Sequence, residues 1–173
     1  MTARVVGTLT PMAQQDPIRL FVAHAWQESD DYHRVFEYLE SSGKFYYRNT
    51  ARTDARPPGG LESERAALRQ QIAAAEVIIA PTSVYAKDAQ LLLFQLEHAR
   101  QNHKPVLLIK PFGIQTTVPT PVMALADRVV DWNERELIAA IKLLARKESQ
   151  DRYDSIEFSA DDFAEFKDFK VRK

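Results

Sequence analysis

The sequence predicts an α/β fold with a five-stranded parallel sheet covered by helices on both faces. Three observations predict it. Five short apolar or β-branched runs recur along the chain, each followed by a stretch of helical periodicity. Two of those runs, VIIAPT and PVLLIKP, are apolar at successive positions, as strands buried on both faces of a parallel sheet are. No internal repeat or low-complexity block breaks the alternation, so right-handed crossovers place helices on both sides.

Residues 1–17 mix polar and apolar types without a period and read as a mobile leader ended by Pro17. Ile18 to His24, IRLFVAH, reads as a buried strand. Ser29 caps the helix after it, with Tyr32, Val35, Phe36 and Leu39 on one face and Gly43 at its end. KFYYRN is a second, shorter strand, and TARTDARPPGG is a loop by its prolines and glycines. A helix runs from Leu61 to about Ala75, with Leu61, Leu68, Ile72 and Ala75 inward. VIIAPT is the central strand, and a third helix covers about Lys87 to Asn102. PVLLIKP is the fourth strand, residues 112–121 form a loop, and RVVDW is a short last strand. Asn133 caps a helix that buries Leu137, Ile138, Ile141 and Leu144. One domain over residues 18–147 accounts for these elements. A tail of residues 148–173 carries a capping signal at Ser159 and Asp162, then Phe163, Phe166 and Phe169 near one face of a short amphipathic helix. That helix either packs back on the domain or binds a partner.

Composition narrows the chemistry. A formal net charge of −1 offers no long-range attraction for nucleic acid or an anionic membrane. The absence of cysteine removes disulfides, zinc–thiolate sites and cysteine nucleophiles, and fits a cytoplasmic setting. No run approaches the roughly 20 apolar residues of a membrane span, and the N-terminus lacks the apolar run of a signal peptide. No metal site is predicted.

Open parallel sheets bind ligands beyond the carboxyl ends of their strands, where the strand order reverses. In a flavodoxin-like order that point lies between the first and third strands. The candidates are therefore His24, Ala25 and Trp26 after the first strand, and Pro81, Thr82, Ser83 and Tyr85 after the third. Asn49 leaves the second strand and Lys110 the fourth. An imidazole, an indole, a phenol, hydroxyls and a cation suit a nucleotide, with a ring to stack the base and donors for phosphate. Each residue also has a packing role open to it. Trp26 and Tyr85 can cover the sheet end, and His24 can satisfy a backbone carbonyl. No G-x-G-x-x-G follows a strand, and no G-x-x-x-x-G-K-[ST] occurs. The acids of AWQESDD argue against a flavin phosphate there. A phosphoacceptor receiver domain needs an aspartate at the end of the middle strand, and this strand ends APTS.

Four segments together resemble a known family. FVAHAWQESDDY resembles the F-[IV]-S-H-S-W-x-x-S-D-D-Y opening of the bacterial TIR-like proteins related to the Thoeris antiphage TIR subunits. APTSVYAKDAQ resembles the segment after their third strand. NHKPVLLIKPFG resembles their G-K-P-[IV]-x-x-[IV]-K-P-[WF]-G strand, and VVDWN their closing V-x-W-N. The matches run in order from about Ile18 to Ala145 and leave the leader and tail uncovered.

The resemblance implies a flavodoxin-like TIR three-layer sandwich and a connection with NAD, as substrate or ligand rather than as a tightly bound cofactor. It also implies antiphage-type signalling, with NAD or an ADP-ribose derivative as ligand and with self-association or an effector protein. Active members break the nicotinamide–ribose bond, aided by a glutamate in a W-x-x-x-E pattern on the third helix. Counted from Tyr85 to Lys104, the tryptophan position here is Leu91 and the glutamate position is Gln95. A glutamine can hydrogen-bond ribose hydroxyls but carries no charge. Losing such a group costs on the order of 10²–10³ in rate. Glu97 lies about 200° around the helix from Gln95 and does not replace it. Gln95 can equally be a polar residue at a helix edge. One reading is therefore a TIR-like domain that binds a nucleotide through His24, Ala25, Trp26, Asp30, Asn49, Ser83, Tyr85, Leu91 and Lys110, or assembles with a partner, with cleavage weakened or lost. A second is an active NAD glycohydrolase or ADP-ribosyl cyclase using another acid, with Glu28, Asp30 and Asp31 the nearest. A third is a scaffold acting through the Phe163, Phe166 and Phe169 tail.

Overall fold

In the computed structural model, which describes residues 16–147 except 114 and 116, all five expected strands form and pair in parallel. They are β1 (Ile18–Val22), β2 (Tyr47–Asn49), β3 (Val77–Pro81), β4 (Val106–Ile109) and β5 (Arg128–Val130). Their order is β2-β1-β3-β4-β5, the flavodoxin-like order, with Leu20 paired to Asn49 on one side and to Val77 on the other. The helices are α1 (Asp30–Ser41), α2 (Leu61–Ala73), α3 (Val84–Lys87), α4 (Ala89–Gln101), α5 (Thr120–Met123) and α6 (Glu134–Arg146).

Side-chain alternation along the central strands makes two cores. Ile78 and Ala80 of β3 and Val106 and Leu108 of β4 point to one face, under Leu68 and Ile72 of α2 and Leu92 and Leu96 of α4. Val77 and Ile79, Leu107 and Ile109 point to the other, under Val35 and Leu39 of α1 and Leu137 and Ile141 of α6. Each face buries large aliphatic side chains completely, and each such side chain contributes about 1.5–3 kcal/mol. Two helix starts follow the expected chemistry. Ser29 Oγ accepts from the Tyr32 N–H, and Asn133 Oδ1 accepts from the Glu136 N–H.

Several elements differ from the sequence expectation. The second strand keeps only Tyr47–Asn49, because it is an edge strand paired on one side. The expected third helix forms as α4, and a separate short helix, α3, stands just ahead of it; Asp88 between the two has an extended backbone and a carboxylate that caps α4 by accepting from the Leu91 N–H at 3.0 Å. Leu61 was expected inward and is 54% exposed. It opens α2, two turns and about 10 Å ahead of Leu68, at the end farthest from the buried half. Ala75 is buried but lies past the end of α2. The expected loop of residues 112–121 runs into α5, which Pro119 and Pro121 start.

At the amino end of the sheet, Arg146 closes α6 onto the entry to β1. Its guanidinium donates to the carbonyls of Asp16 and Pro17 and pairs with Glu76 at 3.0 Å. Glu76 also accepts from the Arg19 N–H. The Arg146 hydrogen bonds, the Arg19 N–H and both guanidinium charges outweigh burial and hold the Glu76 carboxyl down at about 2. Residues 1–15 of the leader, and the tail with its Phe163, Phe166 and Phe169, lie outside the described residues. Among the described residues no helix is long and apolar enough to cross a membrane.

Candidate functional site

The strand order reverses between β1 and β3, so the chain leaves both into one crevice. Ala25 and residues 27–31 come from the exit of β1 and the start of α1, Ser83 and Lys87 from β3 and α3, and Phe112 from the exit of β4. They enclose a cleft of about 550 Å³, within the roughly 300–1,000 Å³ of small-ligand sites.

His24 organises the β1 exit from inside, at 1% exposure. Its Nδ1 accepts from the Trp26 N–H at 3.1 Å, so the ring proton sits on Nε2 and is donated to Gln71 Oε1 at 3.1 Å. Burial lowers the pKa of the ring, opposed by the Gln71 bond, and the imidazole is neutral. Both nitrogens are thereby occupied. Trp26 is held at φ +59°, a left-handed conformation that costs a non-glycine residue about 1–2 kcal/mol. Its indole is buried in the α2–α4 core, with Nε1 lacking a protein partner among the described residues. Gln71 Oε1 also accepts from the Arg52 N–H at 2.9 Å, tying the segment after β2 to α2.

Gln95 lies at the centre of this arrangement and is fully buried. Its Oε1 accepts from the His24 N–H at 3.1 Å, and its Nε2 donates to the His24 carbonyl at 2.9 Å. The same Nε2 donates to Leu91 O, one turn back in α4, at 3.0 Å. The side chain thus imitates a neighbouring strand just past the end of β1, and every hydrogen-bonding hydrogen on it is spent on backbone. The expectation that Gln95 is presented to a ligand is corrected: the position faces the core because the β1 exit needs an amide there. Leu91, the neighbouring expected residue, is buried in the same cluster.

The cleft itself is of mixed charge. Glu28, Asp30 and Asp31 stand with Arg34 and Lys87. Asp31 pairs with Arg34 at 2.6 Å, and the Arg34 guanidinium lies 3.7 Å from the centroid of the Phe112 ring. Lys87 has no carboxylate partner among the described residues. Ser83 lines the cleft as a residue, but its Oγ is buried, with no hydrogen-bond partner among the described residues. Pro111 and Phe112 also wall a second cleft of about 1,050 Å³ with Lys110, Met123 and Trp132. There Lys110 pairs with Asp131 at 3.2 Å and its carbonyl accepts from Trp132 Nε1 at 2.7 Å.

The structure therefore divides the expected residues. Ala25, Asp30 and Ser83 line the β1–β3 cleft, and Lys110 lines its neighbour. His24, Trp26, Leu91 and Gln95 are buried as the packing that shapes the crevice. Tyr85 is half-buried against the α2–α4 core. Asn49 is engaged locally, donating to the Tyr32 hydroxyl at 2.9 Å and accepting from the Ala51 N–H at 3.0 Å. Arg34, Lys87 and Phe112 were missed. Phe112 stands in the KPFG exit of the fourth strand, and Arg34 follows Asp31 at the i+3 spacing of a helical ion pair, so both carried a signal. No protein-family model matches the chain, and no curated protein matches it.

Proposed function

We propose that the chain is a TIR-like signalling domain, of the antiphage type its motifs resemble, that binds NAD or a related nucleotide beside β1 and β3 with cleavage weakened or lost. One observation carries the reading. At the position the resemblance gives to a catalytic glutamate, a neutral amide is locked onto the backbone of His24 and carries no charge to a reacting ribose. An oxocarbenium-like transition state needs an anion beside it, and the loss of one such group costs on the order of 10²–10³ in rate.

The chemistry of the cleft supports binding. A dinucleotide brings a pyrophosphate, ribose hydroxyls, a flat purine and a cationic nicotinamide ring. Lys87 and Arg34 suit the pyrophosphate, and the exposed Phe112 ring suits the purine. Glu28 and Asp30 suit the pyridinium charge.

Calorimetric titration with NAD and with ADP-ribose, run beside chromatographic detection of nicotinamide, tests both halves. Heat of binding from at least one ligand is expected, with nicotinamide release close to the protein-free rate at low and high protein concentration. Rapid release would remove the claim of weakened cleavage. Absence of heat from both ligands would remove the nucleotide.

A further inference from the structure

On the outer side of α2 and α4, a phenyl ring sits among cations. The guanidinium carbons of Arg65 and Arg69 lie 5.1 and 5.4 Å from the centroid of Phe94, and the His98 ring stacks on Phe94 at 6.1 Å. Phe94 and His98 are half-buried and Arg69 is exposed. Arg65 meets Glu62 at 3.6 Å, yet its Nε is buried with no partner among the described residues. Arg69 has no carboxylate partner among them. Burial, then the charge of Arg69, push the His98 pKa down. Such a face favours a ligand that is both acidic and aromatic.

The same chain carries one. Residues 157–169, EFSADDFAEFKDF, hold Glu157, Asp161, Asp162, Glu165 and Asp168 against the single Lys167, interleaved with phenylalanines. The point of departure is favourable. Arg146 grips Glu76, and Glu76 follows closely on the end of α2 at Ala73. Lys147, the last described residue, therefore stands near the carboxyl end of α2. Arg69 and Arg65 lie about 6 and 12 Å back along that helix from Ala73. Residues 148–156, extended, reach about 30 Å, which is ample.

We propose that residues 157–169 dock on the α2–α4 face of their own chain, with phenyl rings against Phe94 and carboxylates against Arg65 and Arg69. The chain has no cysteine, so introduced thiols are the only ones present. In the full chain, Ala164→Cys is combined with Ala66→Cys, exposed on α2, or with Glu37→Cys, exposed on α1 over the opposite face. A short thiol cross-linker is applied at low protein concentration. Intramolecular cross-linking to position 66 is expected about tenfold faster than to position 37, beyond what the tether alone supplies. Arg65→Glu with Arg69→Glu removes the difference. Asp162→Lys with Glu165→Lys removes it as well, without touching the domain, and combining both sets restores it. Equal rates at the two positions, or cross-links formed only between chains, overturn the proposal, the latter in favour of a second copy as occupant.

Discussion

The side-chain amide of Gln95 spans the main chain of His24, accepting from its N–H at 3.1 Å and donating to its carbonyl at 2.9 Å. Only a group with an acceptor at one end and a donor at the other closes that ring. Gln95→Glu is therefore expected to weaken the fold rather than create an active enzyme. An ionised carboxylate cannot donate to the His24 carbonyl, and leaving that group unpaired costs about 1–3 kcal/mol. Burial raises the pKa of the new carboxyl above its unfolded value, near 4.3. The stability deficit relative to the natural chain is thus smallest below that value and grows as pH rises through the folded pKa. Urea denaturation from pH 4 to pH 8 checks this. A variant as stable as the natural chain at pH 8 would contradict it.

Trp26 offers a test of backbone strain. Both Trp26→Gly and Trp26→Ala lose a large buried indole, at about 3–5 kcal/mol. Glycine accepts φ +59° and alanine does not. The glycine variant is expected to be more stable than the alanine variant by about 1 kcal/mol, the reverse of their order in a helix. Thermal melts of the two variants side by side measure the difference.

Glu76 sets an acid limit. Its carboxyl is held at about 2 in the fold against 4.5 as a free group. A depressed folded pKa contributes stability that is present above the unfolded value and is lost as pH falls from about 4.5 toward 2. Glu76→Gln is expected to be less stable at pH 7 and to lose less on acidification across that window. Equal acid slopes in the two proteins would count against it.

In the cleft, Lys87→Ala is expected to weaken NAD binding by roughly tenfold, the worth of one charge-assisted hydrogen bond. The melting midpoint is expected to change little. Titration calorimetry reads the affinity. Affinity untouched by the change would move the nucleotide away from the β1–β3 crevice.

Much of the scaffold was legible because it rests on local rules. Apolar runs at Val77–Pro81 and Val106–Ile109 mark strands buried on both faces, and Ser29 and Asn133 cap the helices that follow them. The site was legible only in outline. Sheet order places Ala25, Asp30 and Ser83 at the crevice. Which way Gln95 points depends on where α4 settles against β1, a contact between residues 71 apart in sequence. Periodicity along one helix carries no information about that pairing. The short α3 was hidden for a nearer reason: its four residues, Val84–Lys87, are too few to show a helical period, and only the extended backbone of Asp88 separates them from α4. Leu61 misled in the opposite sense, since an apolar residue at the first helical position lies on the right stripe but beyond the edge of the core.

The grip of Arg146 on Asp16 joins positions 130 residues apart. During synthesis β1 emerges early and must wait for the whole of α6 before this clasp can close. Loop closure over such a span is among the slower events of folding. The last helix among the described residues thus works as a latch between the two ends of the domain.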